Sequence, residues 1–386
     1  MGGNKNSVVT KDIDVSVILP CRNEEKTVGI CIRKAQDIFK RYNINGEIIV
    51  SDSSRDKSPL IAESLGAKVV KHNKKGYGVA LLEGFKEARG KYIVMADADN
   101  TYDLLELPNF LNQLDKGYDF VIGSRTRGRI RKGAMPFMHR YIGNPLLSFT
   151  MNTFFKSKIS DANSGYRAFT REALDKMQLK TTGMEFASEM IVSALKNRLR
   201  IKEIPIIYSK RVGKSKISSF SDGWRHLRFM LLYSPTHLFL IPGIILFGIG
   251  FLLMTVLLFG PLTLFGFNFD YHFMFLGSLL VLLGYQIISL GLYAKIYAIN
   301  IGFEKHDKSI DFIAKYINLE KGIFLGSIIA IFGLFISFVI LGYWIGFRFP
   351  SLNQTRTLLY ALTLIIVGIQ TVFSSFFLSL LLIEKK

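Results

Sequence analysis

The chain has 386 residues, is 49% hydrophobic and 20% charged, and carries a formal net charge of +19. That charge is uneven: residues 1–233 hold 40 of the 49 Lys and Arg and 24 of the 30 Asp and Glu, and the remainder is apolar with few charges. Two cysteines, Cys21 and Cys31, exclude a cysteine-only zinc site, and a basic excess ahead of long apolar runs points to an anionic lipid surface rather than to nucleic acid.

The first residues, Met1 to Asp14, are polar and lack the apolar core of a signal peptide. Asn6 stands where a myristoylation signal carries Ser or Thr. Short β-prone runs follow at Val15–Leu19, Glu47–Ser51, Lys68–Val70, Tyr92–Ala96, Phe120–Gly123 and Lys202–Tyr208, with helical patterns at 24–41, 58–65, 78–89, 104–115 and 184–197. Such alternation predicts an α/β domain with a largely parallel sheet and helices on both faces. Two further stretches read as helices lying in the membrane interface. Met135–Phe155 is apolar but interrupted by Pro136, His139, Arg140, Asn144 and Pro145; Phe220–Tyr233 sets Phe220, Trp224, Leu227 and Leu231 against Arg225 and Arg228.

Four runs, 237–259, 273–299, 323–347 and 358–383, are long and apolar enough to span a bilayer as helices. The predicted organisation is thus a cytosolic domain over 1–218, an interfacial amphipathic helix over 219–234 and a transmembrane domain over 235–386. The 260–272 connection has no Lys or Arg, whereas 300–322 has Lys305, Lys308, Lys315 and Lys321, and the chain ends Lys385-Lys386. This bias places the first domain, the 300–322 loop and the C-terminus in the cytosol, with Arg348 and Arg356 as a weaker counter-signal.

Ligands of parallel α/β sheets bind beyond the carboxyl ends of the strands. Pro20, Arg22, Asn23 and Glu24 stand after the first strand, Asp52 after the second, Asp97 and Asp99 after the fourth, and Arg125 after the fifth. In Asp97-Ala98-Asp99 the two carboxylates point the same way while the chain stays extended, and no adjacent Lys neutralises them. Mg²⁺ or Mn²⁺ bound to a diphosphate suits such a pair, because hard cations take oxygen ligands and bridge phosphates. Asp103 reads as the cap of the helix that follows. Lys75-Gly76-Tyr77-Gly78 opens a helix, with a glycine-assisted start and a phosphate-facing Lys75 as its two readings. A basic set with interleaved glycines, including Arg125, Arg140, Arg211 and Lys216, suits an anionic acceptor whose tail lies in lipid.

Over residues 14–235 the chain resembles the family 2 glycosyltransferases, specifically the polyprenyl-phosphate transferases that include the dolichol-phosphate mannose and glucose synthases. The resemblance is carried by VSVILPCRNEE, SDSSRDKS, KGYGVALLEGFKEARGKYIVMADAD, VIGSR, DANSGYRAFTREAL and RVGKSKI. GMEFASEM and DGWRHLRFMLLYSP look more like the glucose-synthase branch. The resemblance implies a GT-A fold, a UDP- or GDP-sugar donor with UDP favoured, a divalent metal and inversion at the anomeric carbon. It puts Pro20, Asn23, Glu24 and Asp52 at the nucleoside, Asp97 and Asp99 at the diphosphate and metal, and Arg125, Arg140 and Arg211 at the phosphate of a polyprenyl or dolichyl acceptor. Two positions depart from the mannose synthases: Thr101 replaces a Gln after the Asp pair, and Asn144 replaces a Ser at the acceptor site.

The implied reaction is direct displacement by the lipid phosphate. A phosphate monoester is already largely dianionic at neutral pH, its second pKa being about 6, so no general base is required; His139 is the histidine nearest the expected site. A processive polysaccharide synthase is the nearest rival, but Asp222-Gly223-Trp224-Arg225-His226 lacks the Gln of the QxxRW signature. A non-catalytic translocator or scaffold is the other alternative, and the intact Asp pair and arginine set weigh against it.

Overall fold

Strand β1, Val15–Cys21, is apolar on both faces and lies at the centre of a sheet, buried along nearly its whole length. The computed structural model describes residues 13–213, 219–264, 266–300, 319–347 and 354–383. It divides into two units, Met1–Met230 and Leu231–Lys386.

In the first unit, β1 is followed by α1 (Val28–Arg41), β2 (Gly46–Asp52), α2 (Ser58–Ser64), β3 (Lys68–Lys71), α3 (Tyr77–Glu87), β4 (Tyr92–Met95), α4 (Leu107–Asp115) and β5 (Phe120–Ile130). Then come α5 (Asn144–Phe155), β6 (Arg167–Thr170), α6 (Arg171–Met177), α7 (Phe186–Lys196), β7 (Ile201–Tyr208) and α8 (Ser219–Leu232). The sheet order is β3-β2-β1-β4-β6-β5-β7. β1 pairs in parallel with β2 (Val15 opposite Gly46) and with β4 (Ile18 opposite Met95), while β6 runs antiparallel to β4 and β5. The order reverses at β1, so a crevice opens between the loops that leave β1 and β4, which is where the ligand of such a sheet is expected.

Helix periodicity follows burial. α1 covers the sheet with Val28, Cys31, Ile32, Ala35 and Ile38, a stripe of one helical face. β6 escapes the sequence pattern: it is short, and its first residue is an arginine that is fully buried. β5 is longer than expected because it bulges between Ser124 and Arg129 and then re-pairs with β7. Gly128 makes that possible, since a Cβ there would lie 1.9 Å from the Ile206 carbonyl oxygen.

α8 packs one face inward and leaves Trp224, from the face expected at the membrane interface, open. His226, Phe229 and Met230 are buried, whereas Trp224, Arg225, Arg228 and Leu232 are exposed. The His226 ring bonds the Ser188 hydroxyl of α7 at 2.8 Å. Met135–Phe155 forms a π-helical turn, His139–Gly143, that runs into α5.

Among the described residues, the second unit contains four helices long and apolar enough to cross a membrane, at Thr236–Leu258, Tyr271–Asn300, Leu319–Gly346 and Thr355–Leu382. We number their α-helical parts α9 (Ile241–Leu258), α10 (Tyr271–Asn300), α11 (Leu319–Gly346) and α12 (Thr355–Ile383). A π-helical turn, Thr236–Leu240, leads into α9, and a hairpin, Leu262–Leu264 with Phe267–Phe269, joins α9 to α10. Small residues let backbones meet: a Cβ on Gly250 of α9 would lie 2.5 Å from the Gly277 oxygen of α10, and one on Gly326 of α11 would lie 2.7 Å from the Gly368 oxygen of α12. The two pairs join where the hydroxyls of Ser278 (α10) and Thr363 (α12) bond at 2.7 Å.

Burial, with Arg167 as a secondary cause, pushes the His226 imidazole down from 6.5 to about 4. As pH falls through 6.5 an unfolded chain takes up a proton that the folded chain refuses until about pH 4. Stability is therefore full above pH 6.5 and falls between there and pH 4, by at most about 3 kcal/mol. Thermal unfolding of the full chain in detergent at pH 7.5 and pH 5 should show this loss, and His226→Gln should remove most of it.

Candidate active site

The loops leaving β1 and β2 are laced together. Asn23 adopts φ of +53°, a left-handed conformation that asparagine tolerates. Its backbone N–H donates to the Ser54 hydroxyl at 2.7 Å, and its side-chain oxygen accepts from the Arg55 N–H at 2.8 Å. The Glu24 N–H donates to the Ser58 hydroxyl at 2.9 Å. Asp52, expected at a nucleoside, faces inward instead: its two oxygens accept from the Ser54 hydroxyl at 2.6 Å and the Ser54 N–H at 3.1 Å. At 3% exposure it braces the loop, because a buried carboxylate has to be hydrogen-bonded. Both cysteines are buried and free, with thiols pushed up to about 12 chiefly by burial.

Asp97 and Asp99 stand just beyond β4, opposite that loop. Burial first, and then the neighbouring Asp99, push the Asp97 carboxyl up to about 7. The Tyr77 hydroxyl hydrogen-bonds it. Asp99 is held by Thr101, whose N–H and hydroxyl donate to one carboxylate oxygen at 3.0 and 2.6 Å. Its other oxygen lies 3.3 Å from Arg211, and the same guanidinium also pairs with Glu24. Arg211 thus bridges the β1 and β4 loops across the crevice. Asp103 caps a 3₁₀ turn, Leu104–Glu106, by accepting from the Leu105 N–H.

Tyr77 is placed by its glycines. A Cβ on Gly76 would lie 2.2 Å from the Thr182 oxygen, and one on Gly78 would lie 2.4 Å from the Thr181 oxygen. The strap of residues 180–183 therefore rests directly on the start of α3. Buried Glu189 fixes it by accepting from the Lys180 and Thr181 N–H groups at 2.9 and 2.8 Å. This close approach is the reason for the glycine pair, and Lys75 beside it is exposed.

Residues 161–165 tie the rest of the rim together. Asp161 receives Arg125 in a buried two-pronged pair, both contacts 2.7 Å, and also the Arg125 N–H. Arg125, expected at an acceptor phosphate, is consequently committed to an internal carboxylate, since a guanidinium 7% exposed needs a partner. The Asn163 amide donates to the Asn144 side-chain oxygen at 3.1 Å, and the Gly165 N–H donates to the Tyr102 hydroxyl at 2.7 Å. A Cβ on Gly165 would lie 3.0 Å from an Asp97 oxygen. Behind them Arg167, fully buried, donates to the carbonyls of Ser164, Ala187 and Ala162 at 2.8, 2.7 and 2.9 Å. Arg140 is exposed and lies over the Tyr141 ring, and Pro20 is half-buried beside the exposed Arg22. Lys216 falls outside the described residues.

Among the described residues no group of three or more His, Cys, Asp or Glu gathers as a metal cluster. Asp97 and Asp99 offer two carboxylates, which suits an ion that completes its shell with substrate phosphate and water.

Residues 16–178 match the glycosyl transferase family 2 model, and residues 292–382 match the glycosyltransferase family 2 C-terminal transmembrane region. The low-salt glycan biosynthesis hexosyltransferase Agl6 of Haloferax volcanii is 40% identical over 365 residues, 94% of this chain and 88% of its own length. The chain belongs to glycosyltransferase family 2. A dolichyl-phosphate hexose transferase of the same organism is 32% identical over 213 residues, 54% of this chain and 89% of that one. Glucosyl-3-phosphoglycerate synthase from Mycobacterium tuberculosis, solved with Mn²⁺, UDP and glucosyl-3-phosphoglycerate, aligns at TM-score 0.46 and 21% identity, over 57% of this chain and 79% of that one. The protein is a membrane glycosyltransferase with a GT-A sheet and four apolar C-terminal helices.

Tyr77, Asp161, Arg167 and Glu189 form the supporting structure of this transferase, and none stands out by spacing. Their signal lies inside the KGYG, DANSGYR and GMEFASEM runs. Asp161→Ala leaves the Arg125 guanidinium buried without its partner and should cost about 3–5 kcal/mol. Thermal unfolding of the purified variant measures it; an unchanged midpoint would show that Arg125 does not depend on this pair.

Proposed function

We propose that this enzyme transfers a hexose from a nucleotide-diphosphate sugar, UDP-linked by preference and GDP-linked as the alternative, to a polyprenyl phosphate with inversion. The observation that carries the proposal is Arg211, whose guanidinium stands between Glu24 and Asp99 at the switch point of the sheet. One crevice thereby joins the loop proposed for the nucleotide to the carboxylates proposed for the diphosphate. The name of the Haloferax dolichyl-phosphate hexose transferase supports the acceptor class.

In this reading the nucleoside lies against Pro20, Arg22, Asn23 and Glu24, with Asp52 shaping their loop and Lys75 at the phosphate side. Asp97 and Asp99 would hold Mg²⁺ or Mn²⁺, which would supply positive charge to the leaving diphosphate. Arg211, Arg140, Asn144 and Lys216 serve the acceptor phosphate, and Arg125 supports them from behind through Asp161. A phosphate oxygen attacks the anomeric carbon as the carbon–oxygen bond to the diphosphate breaks. The nucleophile arrives deprotonated, so positioning and charge carry the catalysis, and His139 takes no proton.

The surface supports access from a bilayer. Phe137, Met138, Tyr141, Ile142, Leu146 and Phe149 are 49–69% exposed around Arg140, as an interfacial helix requires. We assign the transferase domain, the 300–322 connection and the C-terminus to the cytosol. Arg356, which opposed that orientation, pairs with Asp270 and lies 4.6 Å from the Tyr271 ring centre.

A donor panel with short-chain polyprenyl phosphate, reading released UDP or GDP, identifies the substrate. Asp99→Ala should lower transfer in Mn²⁺ by about a hundredfold or more; full activity would sink the metal assignment. Arg211→Ala should raise KM for the lipid phosphate at least about tenfold, the loss of one charge-assisted hydrogen bond. Nucleotide affinity should fall much less than that, and an equal fall in both would refute the acceptor role.

A further inference from the structure

Two arginines of the rim are paired with carboxylates, and they are seated differently. Arg125 meets Asp161 in a two-pronged pair with both contacts at 2.7 Å. Arg211 divides its guanidinium between Glu24 and Asp99, and its contact with Asp99 is 3.3 Å. Its Nε–H is buried without a hydrogen-bond partner among the described residues. A two-pronged fork matches one guanidinium to one carboxylate, whereas a buried unpaired N–H costs free energy. The Arg211 side chain is also 21% exposed, against 9% for Arg125. Arg125 is locked in place; Arg211 sits where it can leave.

The oxygen that Arg211 touches decides what would displace it. Thr101 donates its N–H and its hydroxyl to Asp99 Oδ1, and Arg211 lies against Asp99 Oδ2. Oδ2 is therefore the oxygen of Asp99 left for a divalent cation, which coordinates carboxylate oxygen directly. A guanidinium and a metal ion at one oxygen repel each other, so the two exclude one another at Asp99. Release needs no movement of the main chain at its near end. The Ser209 N–H donates to the Thr101 carbonyl at 2.8 Å, which keeps the backbone beside Asp99 while the Arg211 side chain rotates.

We propose, resting on the metal role of Asp99 and the acceptor role of Arg211 given above, that Arg211 is the resident counter-ion of the metal site. It holds Asp99 Oδ2 before a divalent cation binds, yields that oxygen when one does, and turns to the acceptor phosphate. One side chain thereby links the two substrates: binding at the donor's diphosphate end frees the group that grips the acceptor, and the coupling is reciprocal. The exchange moves a single side chain and leaves the carboxylates where Thr101 and Tyr77 hold them.

The test uses the full chain in detergent with Mn²⁺ alone, without nucleotide or lipid phosphate. The free-ion signal in electron paramagnetic resonance measures Mn²⁺ affinity. Arg211→Ala should bind Mn²⁺ about tenfold or more tightly than the unaltered chain, because the competing charge-assisted contact is gone. Equal or weaker binding would overturn the proposal. A second measurement needs no substitution. Phenylglyoxal labelling of Arg211, quantified by mass spectrometry, should rise severalfold when Mn²⁺ is added, while labelling of Arg125 stays low; an unchanged Arg211 signal would overturn the proposal as well. Asp99→Ala separates the two layers of the argument. Undiminished Mn²⁺ binding in that variant would remove the metal assignment and this role together. Lost binding there, with no gain in Arg211→Ala, would leave the metal assignment standing and overturn this role alone.

Discussion

Carboxylates cannot gather in a half-buried crevice without positive charge among them, and this constraint organises the loops at the strand ends of the first unit. Glu24, Asp97 and Asp99 converge from two strand ends, and desolvation makes their mutual repulsion count. Arg211 bridges two of them, and the Tyr77 hydroxyl steadies the third. The same arrangement fixes the three carboxylates in place before any ligand arrives. A pocket that has to be compensated to exist is also one that reorganises least when charge arrives.

The rest of the unit answers a second demand of the same kind. Arg125 and Arg167 are buried cations, and each is solved differently. Arg125 has a carboxylate; Arg167 has three backbone carbonyls and fixes the course of the chain around Ala162, Ser164 and Ala187. Residues 161–165 consequently sit between Arg125, Asn144 and Asp97. This segment transmits order among groups contributed by distant parts of the sequence.

Much of this was legible beforehand. β1, β2 and β4 are apolar runs ending in polar residues, so the rim followed from strand position alone. The apolar spans were legible because a bilayer demands length and composition, both of which are local properties. What stayed hidden depends on distant partners. Arg125 resembled an open phosphate ligand until Asp161, 36 positions away, was found beside it. The bonds from Ser54 to both oxygens of Asp52 were hidden as well. β6 was unreadable because a buried arginine breaks its apolar pattern. The glycines of KGYG gave no hint of the 180–183 backbone they accommodate. On α8 the inward face was not legible, because it is fixed by His226 bonding Ser188 of a distant helix.

The membrane unit is built as two hairpins, α9 with α10 and α11 with α12, each closed along a seam of small residues. Between the hairpins the described contacts include the Ser278–Thr363 hydroxyl pair, the Tyr293–Phe377 rings edge to edge, the Asn300 amide donating to the Leu381 carbonyl at 2.6 Å, the Arg356–Asp270 ion pair and an apolar cluster that takes in Val281 and Val367. During synthesis each hairpin can therefore enter the bilayer as a finished piece, with its backbone already satisfied and its closest packing already made. Joining them is a later step of docking within the lipid. Loss of either hydroxyl, at Ser278 or at Thr363, would then be felt in assembly, after insertion is complete.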